Sequence, residues 1–163
     1  MFKWGIIGTG GIARAFADDI KNLGNHKVCA VLSRNIETAD KFSHSINDCL
    51  GYDDQHAFLN DDNIDAVYVA TPNTLHCDQT ISALKSNKPT LCEKPFSMNA
   101  DEAHLMIQAS KKFSTTLLDG MWMRYLPHIL RLKEILNEGH IGDMQSIYAC
   151  HGQNLQWSKN PRL

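Results

Sequence analysis

The sequence predicts an α/β fold, a doubly wound parallel sheet of the Rossmann type, and three observations carry that prediction. An apolar strand at Trp4-Gly5-Ile6-Ile7 runs into a glycine turn, Gly8-Thr9-Gly10-Gly11-Ile12-Ala13, and straight on into an amphipathic helix. Strand and helix patterns then alternate in short units up to Gly142, which is how a parallel sheet with crossover helices reads. The second-strand segment Val28-Cys29-Ala30-Val31-Leu32 is apolar throughout rather than alternating, as a strand covered on both faces should be.

Taken in order, the first strand spans Phe2 to Ile7. A helix over 12–23 follows with Ile12, Phe16 and Ile20 on its inward face, and Gly24 ends it. The second strand covers 26–33. A helix over 37–47 turns Ala39, Phe42 and Ile46 inward, and a short strand at 50–52 and a short helix at 55–59 come next. The fourth strand is 65–70, followed by a helix over 74–86. The fifth strand is 90–92. Asn99 with Glu102 three residues on forms a capping-box start to a helix that reaches Phe113. The sixth strand is 115–119, and Pro127 sits in the first turn of a helix that stops near Gly139. Right-handed crossovers give the strand order 3-2-1-4-5-6. Residues 1–120 are thus expected to form the dinucleotide-binding domain, and 121–142 a connecting helix region. Residues 143–163 would open a second, antiparallel α+β domain, with one long strand over 143–157.

The glycine turn has the Gly-x-Gly-x-x-Ala spacing of a dinucleotide fingerprint. Gly8 permits the tight turn, Gly10 lets backbone approach a pyrophosphate, and Ala13 lets helix and strand pack closely. The helix N-terminus offers unpaired N–H groups to phosphate oxygens. A glycine turn that binds nothing is the alternative.

Ligands of such sheets bind beyond the carboxyl ends of the strands, so the strand ends hold the candidate site residues. After the second strand come Ser33 and Arg34, where an NAD-binding chain usually places a carboxylate for the ribose 2′-hydroxyl. An arginine there can pair with the 2′-phosphate of NADP; otherwise it is a solvated loop residue. After the fourth strand, Thr71-Pro72-Asn73 sets a stiff turn with a side-chain amide near the cofactor, or Asn73 simply caps the next helix. His76, one turn on, is either structural or functional. After the fifth strand comes Glu93-Lys94-Pro95. Near an oxidised nicotinamide, Lys94 would be driven toward its neutral form and could exchange a proton with a substrate hydroxyl; the alternative is a solvated lysine before a turn.

The fingerprint, then Val69-Ala70-Thr71-Pro72-Asn73 with His76, then Glu93-Lys94-Pro95, in this order and spacing, resemble the glucose–fructose oxidoreductase/inositol dehydrogenase/rhizopine catabolism (Gfo/Idh/MocA) family. Met121-Trp122-Met123-Arg124-Tyr125-Leu126-Pro127 is similar to its dihydrodiol and NADP-linked xylose dehydrogenase branch. The resemblance implies a Rossmann domain followed by an open antiparallel sheet that carries substrate and makes a homo-oligomer. It implies hydride transfer between nicotinamide C4 and the CH–OH of a small polyol, aldose or diol. Gly8, Thr9, Gly10, Gly11, Ile12, Ala13, Ser33, Arg34, Thr71, Pro72, Asn73, His76 and Glu93 would then bind NADP, preferred over NAD. Lys94 would bridge cofactor ribose and substrate hydroxyl as the catalytic residue, in a Lys94–Pro95 bond that is often cis, and Trp122 and Arg124 would line the nicotinamide end. Relatives continue past a region like Asn160-Pro161-Arg162-Leu163 into a segment bearing a second catalytic residue; this chain has none of it and is expected to bind cofactor without turning over.

Composition is consistent with this. Net charge is −2, from 16 basic and 18 acidic residues, with no basic stripe for nucleic acid. No apolar run is long enough to span a bilayer, and no signal peptide fits before the first strand. The five cysteines lack Cys-x-x-Cys spacing and read as reduced thiols of a cytoplasmic protein. The eight histidines form no His-x-x-x-His pair, so no metal site is expected. A non-catalytic dinucleotide-binding module is the main rival reading. A methyltransferase would want an acid where Arg34 stands and leaves Glu93-Lys94-Pro95 unexplained.

Overall fold

The computed structural model describes residues 1–46, 48–150 and 152. The chain divides into two units, Met1–Met121 and Trp122–Leu163.

The first unit holds a six-stranded parallel sheet. Its strands are β1 (Phe2–Ile7), β2 (His26–Leu32), β3 (Leu50–Tyr52), β4 (Ala66–Val69), β5 (Thr90–Cys92) and β6 (Leu117–Asp119), in the order β3-β2-β1-β4-β5-β6. Every neighbouring pair is parallel. This is the expected order, with the two halves diverging from β1 and β4. Helices α1 (Gly11–Ile20), α2 (Ile36–Ser43), α3 (Gln55–Leu59), α4 (His76–Lys85) and α5 (Ala100–Phe113) fill the crossovers.

Two cores flank the sheet because successive strand residues point to opposite faces. Ile6, Val31 and Tyr68 meet Ala13, Ala17, Ile20 and Phe42 of α1 and α2 on one face. Ile7, Val67, Val69 and Cys92 meet Phe58, Cys77 and Met106 of α3, α4 and α5 on the other. Apolar residues at every strand position are therefore needed, which is why the strands do not alternate.

The structure corrects several expectations. The buried side of α1 is Ala13, Ala17 and Ile20, with Phe16 half-buried, whereas Ile12 is 45% exposed. Small residues win that face because they let the helix axis come close to the sheet. The helix ends at Ile20, and the chain reaches β2 through turns closed by Leu23 N–H to Ile20 O. Helix α2 starts one residue early, where Asn35 accepts from Thr38 N–H at 2.9 Å as its N-cap. It ends at Ser43, before Ile46, which is buried all the same; Asn47 lies outside the described residues. The expected helix from 74 opens instead as a 3₁₀ turn, Asn73–Leu75, before α4. Pro72 precedes that turn and no side chain caps it, so Asn73 is not a cap. Asn99 does cap α5, accepting from Glu102 N–H at 2.9 Å, but Glu102 reaches back to Met98 N–H rather than to Asn99. The sixth strand begins only at Leu117, because Ser114 in left-handed conformation (φ 51°) stops α5 and turns the chain first.

In the second unit a 3₁₀ turn at Trp122–Tyr125 precedes α6 (Pro127–Asn137), with Pro127 in its first turn as expected. Residues 143–150 belong to neither helix nor strand. The long strand expected over 143–157 is thus absent from its described part, since a strand needs a partner's N–H and C=O groups and no described residue pairs with it. Residues 151 and 153–157 of that segment lie outside the described residues, as do 160–163.

Candidate functional site

The carboxyl end of β1 lies between those of β2 and β4 in the parallel sheet. Gly8 follows β1 with φ +115°, and its N–H donates to Leu32 O of β2 at 2.9 Å. A Cβ there would sit 2.7 Å from Ala70 O and 3.3 Å from Thr71 Cγ2. Only glycine satisfies both the backbone angle and the space, so Gly8 packs the β1 turn between the ends of β2 and β4. Gly10 is the N-cap of α1 in extended conformation and supplies no side-chain cap. Nothing lies within 4 Å of a Cβ built on Gly10 or Gly11. The N-terminus of α1 is therefore bare backbone with no side-chain cap, with Thr9 half-buried before it and exposed Ile12 beside it. Ala13, fully buried, presses the helix against the sheet. This fits a pyrophosphate by shape, by donors and by dipole.

At the end of β2, Ser33 N–H donates to Tyr52 O at 2.9 Å and ties the turn to β3. Arg34 follows with an exposed side chain. Its guanidinium has no hydrogen bond or ion pair to a described residue, and it leaves the chain one residue before the cap of α2.

The ends of β4 and β5 are cross-linked. The His76 side chain is 1% exposed; its Nε2 lies 2.9 Å from Thr71 O and its Nδ1 2.9 Å from Pro95 O. Thr71 Oγ1 donates to Gln79 Oε1 of α4, Pro72 is exposed, and Asn73 is half-buried. His76 thus spans the Thr71 turn and the Pro95 turn from behind, with both ring nitrogens occupied by protein carbonyls.

Glu93 and Lys94 point in opposite directions. Glu93 is 8% exposed; its Oε1 accepts from Tyr68 Oη at 2.8 Å and its Oε2 from Lys94 N–H at 2.9 Å. Lys94 is exposed, and the Lys94–Pro95 peptide bond is cis. The carboxylate is spent inward on holding the turn, and the ammonium faces out. Burial and the Glu93 carboxylate push the Tyr68 phenol well above its ordinary range, so Tyr68 remains a donor. Burial likewise raises the Cys92 thiol below the turn to about 11, which keeps it an uncharged packing group.

Two residues of this arrangement escape a reading of strand ends alone. Tyr68 lies inside β4, and its only signal is a phenol in an otherwise apolar strand, which needs a partner when buried. Gly120 N–H donates to Cys92 O at 2.7 Å, and a Cβ on Gly120 would come within 2.8 Å of that oxygen. A glycine directly after a strand was its signal. Trp122 and Arg124 lie in the second unit, exposed on the 3₁₀ turn.

The family model described as oxidoreductase family, NAD-binding Rossmann fold (GFO_IDH_MocA) matches residues 2–120. The chain belongs to this family. Trans-1,2-dihydrobenzene-1,2-diol dehydrogenase of Xenopus laevis is 33% identical over 152 residues, covering 92% of this chain and 46% of that enzyme. The D-xylose 1-dehydrogenase (NADP(+)) of Hypocrea jecorina is 34% identical, covering 86% of this chain and 39% of that enzyme. A 3-ketoreductase from Actinomadura kijaniata, solved with NADP and TDP-benzene in an open conformation, superposes with a TM-score of 0.76 at 26% identity, over 85% of this chain and 44% of that one. The chain spans less than half the length of these Gfo/Idh/MocA relatives. It carries their NAD(P)-binding Rossmann domain. The described residues include no helix long and apolar enough to cross a membrane.

Proposed function

We propose that this chain is the cofactor half of an NADP-preferring dehydrogenase whose whole protein moves a hydride between nicotinamide C4 and the CH–OH of a small aldose, polyol or vicinal diol. The observation that carries the reading is the outward Lys94 on a braced turn, set beyond the same sheet edge as the bare glycine cradle. The nicotinamide, when bound, supplies the hydride acceptor or donor; everything else falls to the backbone and side chains of this chain. Gly8 to Ala13 hold the pyrophosphate on the N–H groups of α1. Ser33 and Arg34 receive the adenosine 2′-phosphate, Arg34 through charge-assisted hydrogen bonds. Thr71, Pro72 and Asn73 flank the nicotinamide ribose, with His76 and Glu93 acting through the turns they brace. With oxidised nicotinamide bound, Lys94 Nζ acts as the neutral amine: it takes the proton of the substrate hydroxyl in oxidation and returns it in reduction. The chemistry of the relatives' substrates supports the substrate class, the free cysteines support a reducing, cytoplasmic location, and the family resemblance supports a homo-oligomer.

The test is hydride transfer by the whole protein, followed at the nicotinamide absorbance over a panel of aldoses, polyols and vicinal diols. NADP reduction with one class of these substrates is expected. A protein that binds NADP and reduces it with none of them is a binding module instead.

A further inference from the structure

The Glu93 carboxylate is buried and holds two hydrogen bonds. One comes from the Lys94 backbone at 2.9 Å, the other from Tyr68 Oη at 2.8 Å. Tyr68 is itself 3% exposed, and its ring is stacked on Phe16 of α1, centroids 4.1 Å apart at 25°. Phe16 in turn meets Trp4 of β1 edge-on at 5.3 Å. A continuous chain of contacts therefore runs from the second turn of the phosphate-facing helix, through the Tyr68 ring and hydroxyl, to the backbone nitrogen of Lys94.

We propose that Tyr68 is a positioning residue for Lys94: its hydroxyl fixes the Glu93 carboxylate that fixes the Lys94 N–H, and so sets where the Lys94 side chain leaves the turn relative to α1. The proposal rests on the reading that Lys94 acts at the nicotinamide end. A carboxylate with one donor can rotate about its side-chain torsions, whereas one held at both oxygens cannot. Removing the phenol oxygen leaves the ring, its stack on Phe16 and its burial in place, so Tyr68→Phe isolates this function from packing.

The experiment reads Lys94 directly. The 163-residue chain and its Tyr68→Phe variant are acetylated under limiting reagent, alone and with saturating NADP or 2′,5′-ADP, and Lys94 labelling is quantified by mass spectrometry. 2′,5′-ADP occupies the adenine half of a dinucleotide site but lacks the nicotinamide and its ribose. In the wild-type chain, NADP is expected to slow Lys94 labelling at least fivefold and 2′,5′-ADP not at all. In Tyr68→Phe, affinity for 2′,5′-ADP should stay within twofold while the protection by NADP falls below twofold.

Equal protection of Lys94 in wild type and variant overturns the positioning role while leaving Lys94 at the nicotinamide. A wild-type Lys94 that NADP does not protect overturns the reading beneath the proposal, and the proposal with it. Loss of 2′,5′-ADP binding in Tyr68→Phe also overturns it, because the hydroxyl would then support the whole sheet rather than one turn.

Discussion

Replacing Gly8 with alanine should damage the fold, whereas the same change at Gly10 should damage mainly binding. At Gly8 the methyl group meets two obstacles. The backbone sits at φ +115°, outside the regions open to an L-residue, which costs about 1–3 kcal/mol. The new Cβ would stand 2.7 Å from Ala70 O, a backbone atom in the adjoining strand end that cannot swing aside, and such overpacking costs about 1–3 kcal/mol more. The sum, about 2–6 kcal/mol, is a large part of the roughly 5–15 kcal/mol that keeps a domain folded. At Gly10 the backbone is extended and nothing lies within 4 Å, so alanine should cost no more than about 1 kcal/mol, the loss of glycine's preference at a helix N-cap. Its methyl would instead stand where the pyrophosphate must approach. Urea unfolding followed by circular dichroism gives the first quantity as a fall in midpoint at constant slope, and titration with NADP gives the second. A Gly8→Ala chain as stable as wild type, or a Gly10→Ala chain that binds NADP undiminished, would refute the reasoning about this turn.

Two other perturbations test different parts of the chain. In the whole protein, Lys94→Met should lower turnover by about 10²–10⁴, the usual worth of a general acid–base group, with little loss of cofactor affinity; wild-type turnover in that variant would end the proton-transfer role. At the opposite edge of the sheet, burial raises the Asp61 carboxyl, but hydrogen bonds from Asn63 N–H and Tyr52 Oη, the Asn63 side chain and the Lys88 charge outweigh it and hold the group below its ordinary 3.8. A lowered folded-state pKa means that the stabilisation is present above 3.8 and disappears as pH falls through the lower folded value. Asp61→Asn should therefore cost up to about 1 kcal/mol at neutral pH, limited by solvent screening, and the gap to wild type should close below pH 3.8. A gap that widens on acidification would contradict this.

The parts of this fold that were readable are those where one residue type has one job. Continuous apolar runs gave strands covered on both faces, glycines at strand ends gave turns, and the order 3-2-1-4-5-6 followed from handedness alone. The parts that were not readable depend on which of two acceptable partners a residue meets in space. Ala13 was legible as the small residue that packs helix on strand, but Ile12 beside it, inward by hydrophobicity alone, is 45% exposed because Ala13 takes the sheet-facing position. Glu93 and Lys94 are adjacent charges at a strand end, and only the buried hydroxyl of Tyr68, 25 residues earlier in the chain, shows that the glutamate turns inward and the lysine outward. His76 was legible as a histidine near the site, but its two carbonyl partners, Thr71 and Pro95, come from different strand ends. The expected strand at 143–157 rested on patchy alternation, and pattern alone supplies no pairing partner.

The most direct test of the account is a calorimetric titration of the chain with NADP and with NAD, repeated on Arg34→Ala. Arg34 stands exposed at the end of β2, with no carboxylate beside it in Ser33-Arg34-Asn35. A hydrogen-bonded charge pair to the 2′-phosphate contributes about 1.5–3 kcal/mol, or roughly tenfold to over a hundredfold in affinity. NADP should bind more tightly than NAD, Arg34→Ala should lose this margin, and NAD affinity should hardly change. Equal affinities in the wild-type chain, tighter binding of NAD, or no heat with either dinucleotide would contradict it.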